Sequence, residues 1–344
     1  MPLLLPGLSR IHFVVFSLTF LCILLGGLLP GLLAASEVYL VLGLMLLLGL
    51  PHGATDRGLY EALRTGGRPR KPWRFHALYL GVIAAYGLVW YLLPALAFVA
   101  FLVLSVYHFG QSNWAHTRYG SSTLRRAHYL LWGAGVLFTP ILLHLDQAGA
   151  IVGEMIGGTA WLPDSATALQ LIGGLALLNG LVILALRLTG RLDAGVFGRE
   201  LLAYGLLLGL YFTNSLLLGF TVYFVLWHSL GSARDQWRFF TSRDRPFTLR
   251  RLLPDLLAVI GSAALFCGLA WGGWLQDAAL SPYWMSWIFM IISLLTLPHM
   301  LLVEALYQRW TAPARPVAVA PAARPTPRIQ PDPLPRRRPV SFSH

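Results

Sequence analysis

Charge is scarce in this chain: Asp, Glu, Lys and Arg make up 12% of its 344 residues, against 56% apolar residues. Mean hydropathy is +0.64. A water-soluble core cannot absorb that much apolar surface, which excludes an ordinary globular enzyme and makes lipid the natural solvent. Cysteine is nearly missing too. Cys22 and Cys267 both sit inside apolar runs, where a thiol behaves as a small hydrophobe, so neither a disulfide framework nor a thiolate metal site is expected. Period-two alternation is missing as well, and the apolar stretches run near the roughly 20 residues that a membrane helix needs, which favours helical spans over a barrel. The expected fold class is all-α: a polytopic integral membrane bundle, in the inner (plasma) membrane. No internal repeat or soluble domain stands out.

Divided at charges, prolines and polar clusters, the chain offers about ten spans (eight to ten), near 11–33, 37–56, 75–93, 95–116, 127–146, 165–187, 199–213, 215–233, 252–273 and 283–307. The first follows a single Arg10 and exceeds the roughly 7 to 15 residues of a signal-peptide core, so it is read as a retained span. With the N-terminus cytoplasmic, the outer connections (34–36, Pro94, 147–164, Asn214 and 274–282) contain no Lys or Arg. All 26 basic residues then fall on the cytoplasmic side, and both termini are expected there. Merging the seventh and eighth spans would put the arginines from Arg234 to Arg251 outside, so they are kept apart at Thr213, Asn214 and Ser215. A net charge of +12 therefore reflects topology, and no nucleic-acid partner is expected. Residues 1–310 form the transmembrane catalytic domain in this reading. Residues 311–344, with nine prolines and six arginines, read as a disordered basic tail.

Ten histidines remain to be placed. His12, His76, His116, His128 and His144 lie at or near span ends, and His344 is terminal. His52, His108, His228 and His299 lie inside spans two, four, eight and ten. They precede Arg57, Arg118, Arg234 and Arg309 by five, ten, six and ten residues. At a rise of about 1.5 Å per residue, all four imidazoles sit roughly 7 to 15 Å from the inner edge. Ionisable groups at that depth face the bundle interior or a cavity, so four at one depth on four helices suggest a common site. Neutral imidazoles without an obligatory carboxylate suit Fe, Cu or Zn. Asp56, Gln111 and Asp235 follow their histidines by four, three and seven residues, on the same helix face, and could fix the tautomer of a liganding ring. The alternative for Asp56 and Asp235 is neutralisation of Arg57 and Arg234. Glu304, five after His299, falls on another face and reads as an end-of-helix charge.

Aromatic residues crowd the same layer, with Tyr107, Phe109, Tyr223, Trp227 and Trp287 as candidate walls of a substrate tunnel for a long flat polyene. A membrane di-iron hydroxylase or desaturase needs about eight histidines, with pairs adjacent or four apart; those pairs do not occur. A haem b protein and a non-enzymatic polyene-binding or transport protein stay open on the residues alone.

Four segments carry a resemblance: LPHGATD at 50–56, YHFGQSN at 107–113, LWHS at 226–229 and LTLPHMLLVE at 295–304. They resemble, in order and across most of the chain, the Brp/Blh family of β-carotene 15,15′-dioxygenases, membrane enzymes that make retinal in microbes with rhodopsins. The resemblance implies Fe(II)-dependent cleavage of β-carotene by O2 to two retinal molecules, with His52, His108, His228 and His299 as metal ligands and catalytic residues, and with retinal passed to a microbial rhodopsin. Two positions depart from the pattern. Asn113 stands where an acidic residue is frequent, and Ser232 where a second histidine follows the third motif.

Overall fold

The computed structural model describes residues 10–45, 49–64, 73–241, 253, 257, 261 and 282–311, apart from the side chains of residues 50–52, 64, 282–284 and 310–311. Among these residues every regular element is helical. In chain order they are α1 (Arg10–Leu28), α2 (Pro30–Leu44), a 3-10 turn (Leu50–Thr55), α3 (Asp56–Arg64), α4 (Trp73–Leu92), α5 (Pro94–Trp114), α6 (Ser122–Leu143) and α7 (Leu145–Ile156). There follow α8 (Ser165–Leu188), α9 (Ala194–Thr213), α10 (Leu216–Val222), a π-helical segment (Tyr223–Ser229), α11 (Leu230–Thr241) and α12 (Pro282–Thr311).

The helix starts are fixed locally. Proline occupies the first turn of α2 and α5, where its missing N–H costs nothing. Ser121, Asp164, Asp193 and Ser215 each accept a backbone N–H three residues on, satisfying a donor that hydrocarbon would leave bare.

Among the described residues, seven helices are long and apolar enough to cross a membrane: α1, α4, α5, α8, α9, the rod from Leu216 to Thr241, and α12. The pair α6–α7, bent by 104°, makes an eighth when counted as one span. These account for eight of the ten expected spans, and the separation of the seventh from the eighth stands. The second span differs. α2 is only 15 residues long and starts at Pro30, and the histidine-bearing stretch beyond it is a 3-10 turn, because Gly49, Pro51 and Gly53 together weaken an α-helix there. The ninth span, 252–273, and the tail, 311–344, lie almost entirely outside the described residues.

The connection 147–164, expected on the outer side, is also more than a loop. Ala148, Ile151 and Met155 recur at helical spacing on one face of α7 and are buried where it packs on α12 and α5. Gly157, with φ of 67°, ends the helix in a left-handed turn that a side chain would strain.

Burial is inverted relative to a soluble bundle. Leu28, Leu80, Tyr91 and Leu177 are exposed on the outer faces, while Asp56, His108, His228, Asp235 and His299 are buried inside. The rod from Leu216 to Thr241 is the most enclosed span, 61% buried, against 11% for α4. The tightest helix pair is α5 with α6. A Cβ on Gly110 would lie 1.8 Å from the Tyr129 carbonyl oxygen, and one on Gly133 would lie 1.7 Å from that of Val106. Only glycine allows this approach, which is the small-residue packing that membrane helices use in place of a hydrophobic driving force.

Candidate metal centre

Three of the four deep histidines meet. His108 on α5 lies 4.9 Å from His228 on the π-helical segment and 5.7 Å from His299 on α12, ring centroid to ring centroid. All three are buried. His52 lies in the 3-10 turn, and its side chain is outside the described residues.

The ring spacing can be compared with what a shared ion requires. A metal–nitrogen distance of about 2.1 Å puts each ring centroid about 3.3 Å from the ion, so neighbouring imidazoles stand about 4.6 Å apart at a right angle and about 5.6 Å at 120°. The observed separations match that range. Among the described residues, no three His, Cys, Asp or Glu side chains already hold their donor atoms around one point. The arrangement is a set of rings at ligand spacing rather than a closed cage, and its all-nitrogen donor chemistry suits a borderline metal such as Fe(II).

The hydrogen bonds assign the tautomers. His299 Nδ1 meets Asp56 Oδ1 at 2.7 Å, and the other carboxylate oxygen accepts the Tyr79 hydroxyl at 2.9 Å. A carboxylate accepts, so Nδ1 carries the proton and Nε2 the lone pair. His228 Nδ1 lies 3.2 Å from Ser112 Oγ, whose single proton goes to the Phe109 carbonyl at 3.0 Å. That hydroxyl therefore accepts from Nδ1, and His228 too presents Nε2. Carboxylate or hydroxyl partners behind liganding imidazoles are the usual way to fix ring orientation and raise basicity.

The partners differ from those read off the sequence. Asp56 was expected behind His52, four residues away on its own helix; the partner the structure describes is His299, brought across from α12. Burial at 2% exposure sets Asp56 apart from a boundary charge, and Arg57 lies beside Glu61 at 3.5 Å. Asp235 does not serve His228. Seven residues are about 10 Å of helix, and at that level Asp235 instead meets His116 at 2.9 Å and Tyr307 at 3.1 Å, with Arg234 at 3.6 Å. Gln111 donates to Glu304, so Glu304 is not merely an end-of-helix charge. α12 is packed against α3, α4, α5 and α7, and more than one of its faces meets protein. Ser232 accepts from Gln236 at 3.1 Å, and Gln236 is bonded in turn by Thr55 at the end of the histidine-bearing turn. Asn113 donates to Glu200 at 3.4 Å.

Of the expected tunnel residues, Phe109 flanks the histidines, 5.0 Å from His228, and Tyr223 packs on Phe109 at 5.4 Å. Phe224 stacks on His228 at 5.4 Å, and Phe220 bridges Phe224 to Phe289. The last three were readable in part, since Phe220 and Phe224 precede His228 by eight and four residues. Tyr107 instead packs on Tyr129. Trp227 turns to α1, stacking on Phe16 at 5.2 Å and donating to Thr19 at 3.0 Å. Trp287 is on the outer surface, 45% exposed.

A family profile described as Beta-carotene 15,15'-dioxygenase matches residues 43–307, which include the turn, the three ring-bearing helices and the aromatic wall. The chain belongs to this family. A curated relative from an uncultured marine bacterium, 66A03, bears the name Beta-carotene 15,15'-dioxygenase and is 27% identical over 118 residues. That alignment covers 34% of this chain and 42% of the relative, so the chain matches less than half of the relative's length. No solved structure matches.

Proposed function

We propose that the protein cleaves β-carotene at its central 15,15′ double bond with O2, giving two molecules of retinal, at a non-haem Fe(II) held by His52, His108, His228 and His299. One observation supports the reading above others: three imidazoles from three separate helices converge in the buried middle of an apolar bundle at the spacing of neighbouring ligands. Family membership supplies the substrate class.

Bound iron would supply the one-electron chemistry that lets O2 react with a closed-shell polyene. The chain's own groups do the positioning. Asp56 and Ser112 hold His299 and His228 by their Nδ1–H groups. Phe109, Phe220, Tyr223, Phe224 and Phe289 offer flat faces for the polyene and keep water away. The substrate dissolves in the bilayer, so it enters laterally from the hydrocarbon layer, where O2 also concentrates. One C=C bond breaks, two C=O bonds form, and both oxygen atoms end in the aldehydes. No proton has to move, and no protein base is required. The product is formed in the inner membrane, where a microbial rhodopsin can take it up.

Expression in a β-carotene-producing bacterium, followed by pigment extraction, tests this directly. Loss of orange colour with retinal appearing is the expected result. Unchanged β-carotene in cells that contain the inserted protein and added iron overturns the proposal.

A further inference from the structure

A second polar site lies far from the histidines. Ser215 precedes His228 by thirteen residues, roughly 20 Å of helix. There a cavity of about 160 Å³ opens between α1, α2, α9 and α10, lined by Gly26, Pro30, Glu37, Thr213, Asn214 and Ser215 among others. It is unusual for its acceptors. Glu37 is 9% exposed and Asn214 6%.

The hydrogen bonds orient both side chains. The Ser215 hydroxyl accepts the Leu218 N–H at 3.2 Å and gives its own proton to the Glu37 carboxylate. Glu37 is thus an acceptor, and among the described residues no Lys, Arg or His pairs with it. Asn214 Nδ2 donates to the carbonyls of Leu210 at 3.1 Å and Cys22 at 3.3 Å. The amide nitrogen must face those oxygens, which turns Oδ1 the other way, where it is buried and accepts no hydrogen bond. A Cβ on Gly26 would lie 2.9 Å from Oδ1 and 2.4 Å from the Thr213 carbonyl oxygen. The glycine lets α1 pack directly against both oxygens at the edge of the cavity. A carboxylate with no cationic partner and an amide oxygen with no donor are costly to bury unless something positive meets them.

We propose that this cavity is a site for a hard monovalent cation, Na+ in the first instance, held by the Glu37 carboxylate, Asn214 Oδ1 and the Thr213 carbonyl oxygen. An all-oxygen set disfavours soft metals. One carboxylate balances one positive charge, whereas a divalent ion would leave a net charge in apolar surroundings. The volume corresponds to about five waters at about 30 Å³ each, room for an ion with part of its shell. The ion ties the junction of α1 and α2 to the break between α9 and α10. It acts as a structural clasp independent of the metal centre.

The test is thermal unfolding of the purified full-length protein, titrated with NaCl against choline chloride at constant ionic strength. The melting temperature should rise saturably with Na+ and stay flat with choline, in the wild type and equally in His299→Ala. In Glu37→Gln the Na+ response should vanish. Asn214→Asp adds a second carboxylate and should create a Ca2+ response absent from the wild type, a gain readable even if the glutamine variant does not fold. Identical melting in Na+ and choline, a Na+ response retained in Glu37→Gln, or no Ca2+ response in Asn214→Asp overturns the assignment.

Discussion

Asp56→Asn keeps the shape of a side chain on which two partners converge and removes its charge. The carboxylate accepts His299 Nδ1–H at 2.7 Å and the Tyr79 hydroxyl at 2.9 Å, at 2% exposure. An asparagine can still accept from His299 through Oδ1, with its NH2 turned to the Tyr79 oxygen, so the fold should survive. What is lost is the charged half of the interaction. Hydrogen bonds to charged groups contribute about 1.5–3 kcal/mol and neutral ones about 0.5–1.5, a difference of roughly 1–1.5 kcal/mol. At about 1.4 kcal/mol per factor of ten, that alone is roughly five- to tenfold, and reduced basicity of the ring carries the total toward the 10- to 100-fold usual for partners behind metal ligands. The assay is iron content of the purified protein together with initial retinal formation in the β-carotene strain. Arg57→Gln is the control, since Arg57 lies beside Glu61 on the exposed side of the same helix, and exposed pairs contribute about 0–1 kcal/mol. Equal and small effects of both substitutions would refute the reasoning and return Asp56 to the role of a boundary charge.

Replacing any one of His52, His108, His228 or His299 by Ala should lower bound iron and abolish cleavage, while His76→Ala should do neither; retained activity in His299→Ala would leave a three-histidine centre. Gly133→Ala puts a methyl 1.7 Å from the Val106 carbonyl oxygen, so α5 and α6 must separate; the outcome to measure is a large loss of thermal stability with reduced iron, and wild-type melting would show that the contact is not needed. Reporter fusions after Glu154 and after Arg245 should report opposite compartments, as the one-sided arginines require. The same compartment for both would undo the division of spans.

The helices that run straight were legible, because a span of apolar residues between charges has one physical solution in lipid. Four histidines were singled out by expected depth alone, and the three whose side chains are described converge. What sequence spacing could not show is where one helix meets another. Asp56 is one turn from His52 along the chain, and its described partner comes from α12. Asp235 shares a face with His228, yet the pitch of the helix lifts it a full two turns away, to His116 and Tyr307. The π-helical stretch 223–229 was hidden for another reason. A residue inserted into the register changes the hydrogen-bond ladder without changing composition, and it turns His228, Phe224 and Tyr223 as a set. Trp227, one residue away, is thereby sent to α1 and out of the aromatic wall.

Asp56 and His299 are separated by 243 residues. Translation therefore delivers the acid long before its base, and a nascent chain that has inserted α3 holds a carboxylate whose partner is still unmade. That charge must wait in the water-facing rim or in the translocation machinery until α12 arrives. On the proposed reading α12 brings His299 to the metal site after the other three histidines have been made, so iron would load only once α12 is in place, and a chain cut before Pro298 would lack one ligand.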